Sequence, residues 1–161
     1  MMTFRFSRIV SPFATLFLLT VLGISSAHAA PSDHFVTTWK TDNPGASNNS
    51  SITVPMVGGP YDVDWDNDGV FDEFFLTGWV THDFGAPGTY TIRIEGSYSS
   101  IRFSNAGDKY KIVSLDQWGT QPWFSMDQAF AGCSNLEIPA TDSPDLSNVR
   151  SMRYMFSGAT L

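Results

Sequence analysis

The sequence predicts a mainly β protein, a small antiparallel sandwich followed by the start of an α/β repeat solenoid. Three observations carry that prediction. Residues 35–103 are short apolar runs, several of strict period two, broken by turns rich in Gly, Pro and Asn. Residues 125–132 recur as residues 151–158, an offset of 26 that lies in the range of a stacked repeat. The chain of 161 residues is also 42% hydrophobic, 14% aromatic and only 16% charged, the composition of a folded protein rather than a disordered one. A single cysteine excludes a disulfide scaffold, and no glycine period suggests a fibre.

Residues 1–29 read as a secretory signal peptide. Arg5 and Arg8 precede an apolar run from Phe13 to Ile24, too short to span a bilayer, and small residues follow at Ala27 and Ala29. Cleavage is placed after Ala29, because a cut one residue later would leave Pro31 beside the scissile bond. The alternative is an N-terminal membrane anchor; after cleavage no membrane span is expected. Removing Arg5 and Arg8 turns 9 basic residues into 7 against 16 acidic, a net charge near −9. So acidic a surface does not suit phosphate backbones, and nucleic acid is excluded as a partner. The lone Cys133 fits an exported protein as a buried small hydrophobe, the alternative being an intermolecular disulfide.

Within the segment 33–103, Phe35–Trp39, Ser51–Val54, Tyr61–Trp65 and Thr89–Glu95 are read as strands, and Asn43–Asn49 as a loop. Pro87-Gly88 provides the fixed and the permissive φ of a tight turn, after which Tyr90 and Ile92 share one face. Val63-Asp64-Trp65-Asp66-Asn67-Asp68-Gly69, followed by Thr81-His82-Asp83-Phe84 and Pro87-Gly88-Thr89-Tyr90, resembles the paired signatures of polycystic-kidney-disease-type (PKD) domains. The resemblance implies an immunoglobulin-like sandwich. The insert Val70–Phe75 is longer and more apolar than a simple turn needs.

Residues 104–111 are a polar joint, and 112–161 carry the repeat. Met126, Ala129 and Phe130 fall at i, i+3 and i+4, predicting a short helix stopped by Gly132. Ile112–Gly119 and Leu136–Ala140 are expected as short strands, with Asp145–Val149 as the return. So small a helical face cannot bury itself, and each unit needs a stacked neighbour. Asp145-Leu146-Ser147-Asn148-Val149 with Met152-Arg153-Tyr154-Met155-Phe156-Ser157-Gly158-Ala159 closely resembles the unit of BspA-like leucine-rich-repeat surface proteins. Gln117-Trp118-Gly119 and Met126–Leu136 are similar to the entry unit ahead of such arrays. The resemblance implies an exported bacterial surface protein of a family that includes adhesins. An array of fewer than two units leads us to expect an amino-terminal piece of a longer protein.

The most chemically loaded stretch is Asp64, Asp66 and Asp68 ahead of Gly69, with Asp72 and Glu73 close behind. Oxygens at positions 1, 3 and 5 with Gly at 6 are what a loop needs to wrap Ca²⁺, although Phe75 stands where an EF-hand would place its final Glu. The alternative is a turn built by Asp and Asn side chains alone. Carboxylates on a polar turn do not provide the cleft and the raised pKa of a glycosidase pair. No nucleophile elbow, phosphate loop or zinc spacing appears, and Cys133 aligns with Ala159, so the chain is read as not an enzyme. Of the tryptophans, Trp65 is assigned to the core, while Trp79, Trp118 and Trp123 are the candidates for an exposed recognition role. The expected function is adhesion, through the repeats, to a host or matrix protein or polysaccharide at the cell surface. The alternative is a carbohydrate-binding accessory module of a secreted hydrolase.

Overall fold

The computed structural model describes residues 33–159, so the signal segment at 1–29 lies outside the described residues. Six strands are present: β1 (Phe35–Lys40), β2 (Ser51–Asp64), β3 (Glu73–Leu76), β4 (Trp79–Asp83), β5 (Thr89–Ile101) and β6 (Ile112–Gln117). They pair antiparallel in the order β3-β2-β5-β1-β6, with β4 joined to β2. The protein is therefore mainly β, as the alternating pattern predicts, and the arrangement is consistent with a β-sandwich.

β2 joins into one strand the segment Ser51–Val54 and most of the segment Tyr61–Trp65, which the sequence pattern separates, and it serves three partners, β3 among them. Its first part, Ser51–Pro55, pairs with β4, and its second part, Met56–Asp64, pairs with β5. The change of partner falls near Gly58-Gly59, whose φ values of 89° and 144° suit glycine, and the register with β5 shifts on both sides of Gly58. β3 and β4 occupy the apolar insert and the Trp79–Asp83 segment, neither of which is expected as a strand from sequence. β1 lies between β5 and β6, with Phe35 opposite Ile94 and Trp39 opposite Ile112.

One continuous core results. Phe35, Trp39, Ile92 and Ile94 from the strands join Trp118, Trp123, Met126, Phe130 and Leu136 from the following segment. Full burial of each such side chain stabilises by roughly 1.5–3 kcal/mol, before chain entropy is charged against it. Cys133 is part of this cluster and fully buried, as expected.

No helix forms among the described residues, so the short helix expected over Met126–Phe130 is corrected to a series of turns. The apolar spacing is right, since Met126, Ala129 and Phe130 are all fully buried, but the backbone bonds run elsewhere. In an α-helix each N–H returns to the carbonyl four residues back. Here Met126, Gln128, Phe130 and Gly132 donate instead to Ser151, Arg153, Met155 and Ser157, at 2.8–2.9 Å. Gln128 has φ 55° and Gly132 φ 79°, and their equivalents 26 residues on, Tyr154 and Gly158, have 56° and 73°. The two copies thus share one backbone conformation and lie stacked.

A further layer precedes them. Phe103 and Asn105 donate to Ala129 and Ala131, so the polar joint is the first course of the stack. On its other side, β6 meets the next short extended segment in parallel, Ser114 facing Glu137, and Pro122 faces Asp145 in the same sense. The segment Ile112–Gln117, assigned from sequence to the first repeat, is therefore also the edge strand of the sheet.

The loop before β2 is tied to this joint by two buried charged side chains. The Asp108 carboxylate accepts the N–H groups of Ala46, Ser47 and Thr53 and the Ser47 hydroxyl, at 2.6–2.9 Å. Lys111 Nζ donates to the carbonyls of Ser47, Asn48 and Ser51 and to Ser47 Oγ. Both side chains are essentially inaccessible, and burial holds the Lys111 ammonium below its ordinary pKa. Gly45 packs so closely that a Cβ there would lie 2.4 Å from Asp108 Oδ1.

Burial also holds two neutral acids above their ordinary values, the Cys133 thiol from 9.0 up to about 12 and the Tyr61 hydroxyl from 10.0 up to about 12. Because the folded values exceed the unfolded ones, both groups contribute stability that is complete below pH 9 and is lost as pH rises through 12. Chemical unfolding followed across that window should show stability falling steadily. Cys133 should meanwhile resist a thiol reagent in the native state at pH 8 and react at once on unfolding; rapid native labelling would contradict its placement.

Candidate functional site

The acidic turn begins where β2 ends. Asp64, the last residue of β2, is fully buried, and its cross-strand partner is Arg93 of β5, itself 1% exposed. Arg93 Nη2 lies 3.3 Å from Asp64 Oδ2, and its Nε and Nη2 donate to Asn67 Oδ1 at 3.1 and 3.0 Å. The rest of the turn is closed by carboxylates accepting backbone N–H groups. Asp64 takes those of Asp68 and Gly69, Asp66 takes that of Asp68, Asp68 that of Val70, and Asp72 that of Trp65. Asn67 and Gly69 sit at φ 58° and 102°, the left-handed region that such a turn demands and that Asn and Gly tolerate.

Of the five carboxylates expected at a cation site, three converge. One oxygen each from Asp64, Asp66 and Asp72 lies within 4.8 Å of the others. Asp68 lies outside this group, accepting the Val70 N–H, and Glu73 points instead toward His82, with Oε1 3.7 Å from Nδ1. Partial desolvation raises the Asp66 pKa, and its neighbours Asp68, Asp72 and Asp64 push it in the same direction. The donor set suits a hard divalent ion in type, oxygen only, and offers fewer protein ligands than the six to eight oxygens Ca²⁺ prefers, leaving the remainder to water. Arg93 is the residue that sequence reading missed. Its signal was available, because a lone Arg at the centre of an apolar, alternating strand has to meet a buried acid.

Beside the turn, Trp65 is 3% exposed, the core position assigned to it from sequence. His82 stacks on its indole with ring centres 4.2 Å apart, and Phe84 and Tyr90 stack on each other at 3.9 Å. These rings, with Asp66, Asp72, Glu73 and Asp83, line a concavity of about 380 Å³.

The candidate recognition tryptophans divide. Trp79 on β4 is 55% exposed, whereas Trp118 and Trp123 are 6% and 0% exposed, which removes them from any recognition surface. Both rings pack on Phe35, and Trp118 also meets Phe130 edge-on, so they serve as the joint between sheet and stacked turns. The period-two and repeat patterns do not mark that junction, which is why sequence alone left them as surface candidates.

Comparison with protein-family models, with curated proteins and with solved structures finds no match to this chain.

Proposed function

We propose that this is an exported, non-catalytic surface protein in which an immunoglobulin-like sandwich of PKD type carries stacked BspA-like leucine-rich repeats used for adhesion. The observation that supports the reading is the ladder joining the two repeat copies. Four alternate N–H groups of residues 126–132 meet four alternate carbonyls of residues 151–157, so the unit is built to receive a neighbour of its own kind. The second copy carries the same alternate N–H groups at Met152, Tyr154, Phe156 and Gly158, for which the described residues provide no acceptor. Such stacking generates an elongated face, the form that adhesive repeats use to contact protein or polysaccharide. Beads coated with the full chain should be retained on surfaces coated with matrix protein or cell-surface polysaccharide, and uncoated beads should not. Absence of retention on every such surface would overturn the adhesion reading.

The acidic turn is read, within the same proposal, as a Ca²⁺ site of Asp64, Asp66 and Asp72 that stiffens the sandwich. Millimolar Ca²⁺ should raise the melting temperature by a few degrees, about 1–2 kcal/mol of linkage at tens of Kd. Asp72→Asn should remove that shift while leaving the protein folded. An unchanged melting curve in Ca²⁺ would assign the carboxylates to turn construction alone.

A further inference from the structure

A groove of about 290 Å³ runs along the stack of turns, lined by none of the residues of the acidic site. Three pairs of its lining residues are 26 apart: Gln128 and Tyr154, Ala131 and Ser157, Gly132 and Gly158. Each layer therefore contributes the same set of positions, and the first layer adds Asn105, Lys109 and Tyr110. Gly132 and Gly158 belong to its lining, and the Asn105 and Lys109 side chains stand over Gly132. A Cβ on Gly132 would fall 2.2 Å from Asn105 Oδ1, and one on Gly158 would lie 3.8 Å from the Gly132 Cα. Gln128 and Tyr154 share the left-handed backbone, so both side chains leave the stack at equivalent points.

The chemistry of this groove differs from the rest of the molecule. The chain is strongly acidic, yet among the described residues no carboxylate lines the groove. Lys109 lies in it, with Nζ 4.7 Å from the centre of the Tyr110 ring, and Arg153 lies beside it over the Tyr154 ring at 5.5 Å. Two of the few basic residues are thus gathered at one place, each next to an exposed tyrosine. The Tyr110 and Tyr154 hydroxyls and the Gln128 amide have no hydrogen-bond partner among the described residues.

We propose that this groove binds a linear acidic glycan, a chain of uronate-bearing sugars laid along the stack. Tyrosine faces suit the C–H faces of sugar rings, and the free hydroxyls and amide suit their alcohols. Lys109 and Arg153 supply the charge for carboxylates. An acidic peptide would satisfy the cations but would find no apolar pocket for an anchoring side chain. The inference deepens the adhesion reading by naming a ligand class and the residues that take it.

The test is an NMR titration of the full chain with hexagalacturonate. The expected result is saturable shifts at Gln128, Gly132, Tyr154 and Gly158. Binding should weaken about tenfold or more in Lys109→Gln and in Tyr154→Asn, the latter removing the ring while keeping a residue that tolerates positive φ. It should also weaken in about 0.5 M NaCl, as screening of a surface cation demands. Absence of saturation, or shifts confined to other residues, would overturn the proposal. Equal binding of neutral maltohexaose would overturn the acidic class, and equal binding of a glutamate hexapeptide would overturn the glycan. Coated beads that are still retained on matrix while hexagalacturonate fails to bind would sink the groove and leave the adhesion reading standing.

Discussion

Asp108→Ala is expected to destabilise the protein by about 3–5 kcal/mol, the cost of breaking a buried, fully hydrogen-bonded charge arrangement. The carboxylate it removes, itself buried, satisfies three backbone N–H groups and the Ser47 hydroxyl. Each donor left unpaired costs about 1–3 kcal/mol if nothing replaces the lost acceptor. Lys111, buried nearby with only neutral oxygens as direct partners, also loses the carboxylate that favours its charged form. Asp108→Asn keeps one acceptor oxygen and should fall between alanine and the wild type. Urea unfolding of the three proteins gives the order directly; a cost under about 1 kcal/mol for alanine would mean that the loop at 43–50 is not held by Asp108.

Arg93→Ala is expected to cost a similar amount, about 3–5 kcal/mol, because it leaves the Asp64 carboxylate buried without a counter-charge. It also removes the donors that fix Asn67 in its left-handed conformation at the tip of the turn. If Asp64, Asp66 and Asp72 take Ca²⁺, the ion replaces part of the missing positive charge. Ca²⁺ should then stabilise Arg93→Ala more than it stabilises the wild type. Thermal unfolding of both proteins with and without the ion separates the two contributions. A wild-type-like stability in Arg93→Ala would contradict the buried ion pair, and an equal Ca²⁺ effect on both would separate Arg93 from the cation site.

The residues that could be read in advance were those whose environment is set locally. Period-two alternation marks the strands at Tyr61 and Thr89, an apolar run bounded by a loop marks the one at Phe35, and the Asp-Asn-Asp-Gly run marks the turn. Trp65 and Cys133 belonged inside on chemical grounds alone. What escaped is what depends on a distant partner. β2 looked like two separate strands because each half pairs with a different neighbour. Met126, Ala129 and Phe130 satisfy the helical spacing, yet the next copy of the motif offers carbonyls to their segment and the turns win over the helix. Trp118 and Trp123 are buried for the same reason: both are covered by Phe35, remote in sequence, and Trp118 also by Phe130. The repeat itself is legible as an offset of 26, and four ladder bonds, each joining residues 25 apart, connect the two copies.

Amide hydrogen exchange, resolved residue by residue, addresses the stacked repeat most directly. The N–H groups of Met126, Gln128, Phe130 and Gly132 have acceptors in the next layer, whereas those of Met152, Tyr154, Phe156 and Gly158 have none among the described residues. The first four should exchange slowly, by about two orders of magnitude or more relative to the second four. Appending a further copy of residues 136–161 should bring the second four to the same protection. Equal exchange of the two sets in the unextended chain, or no gain on extension, would contradict a stack held by interlayer backbone bonds.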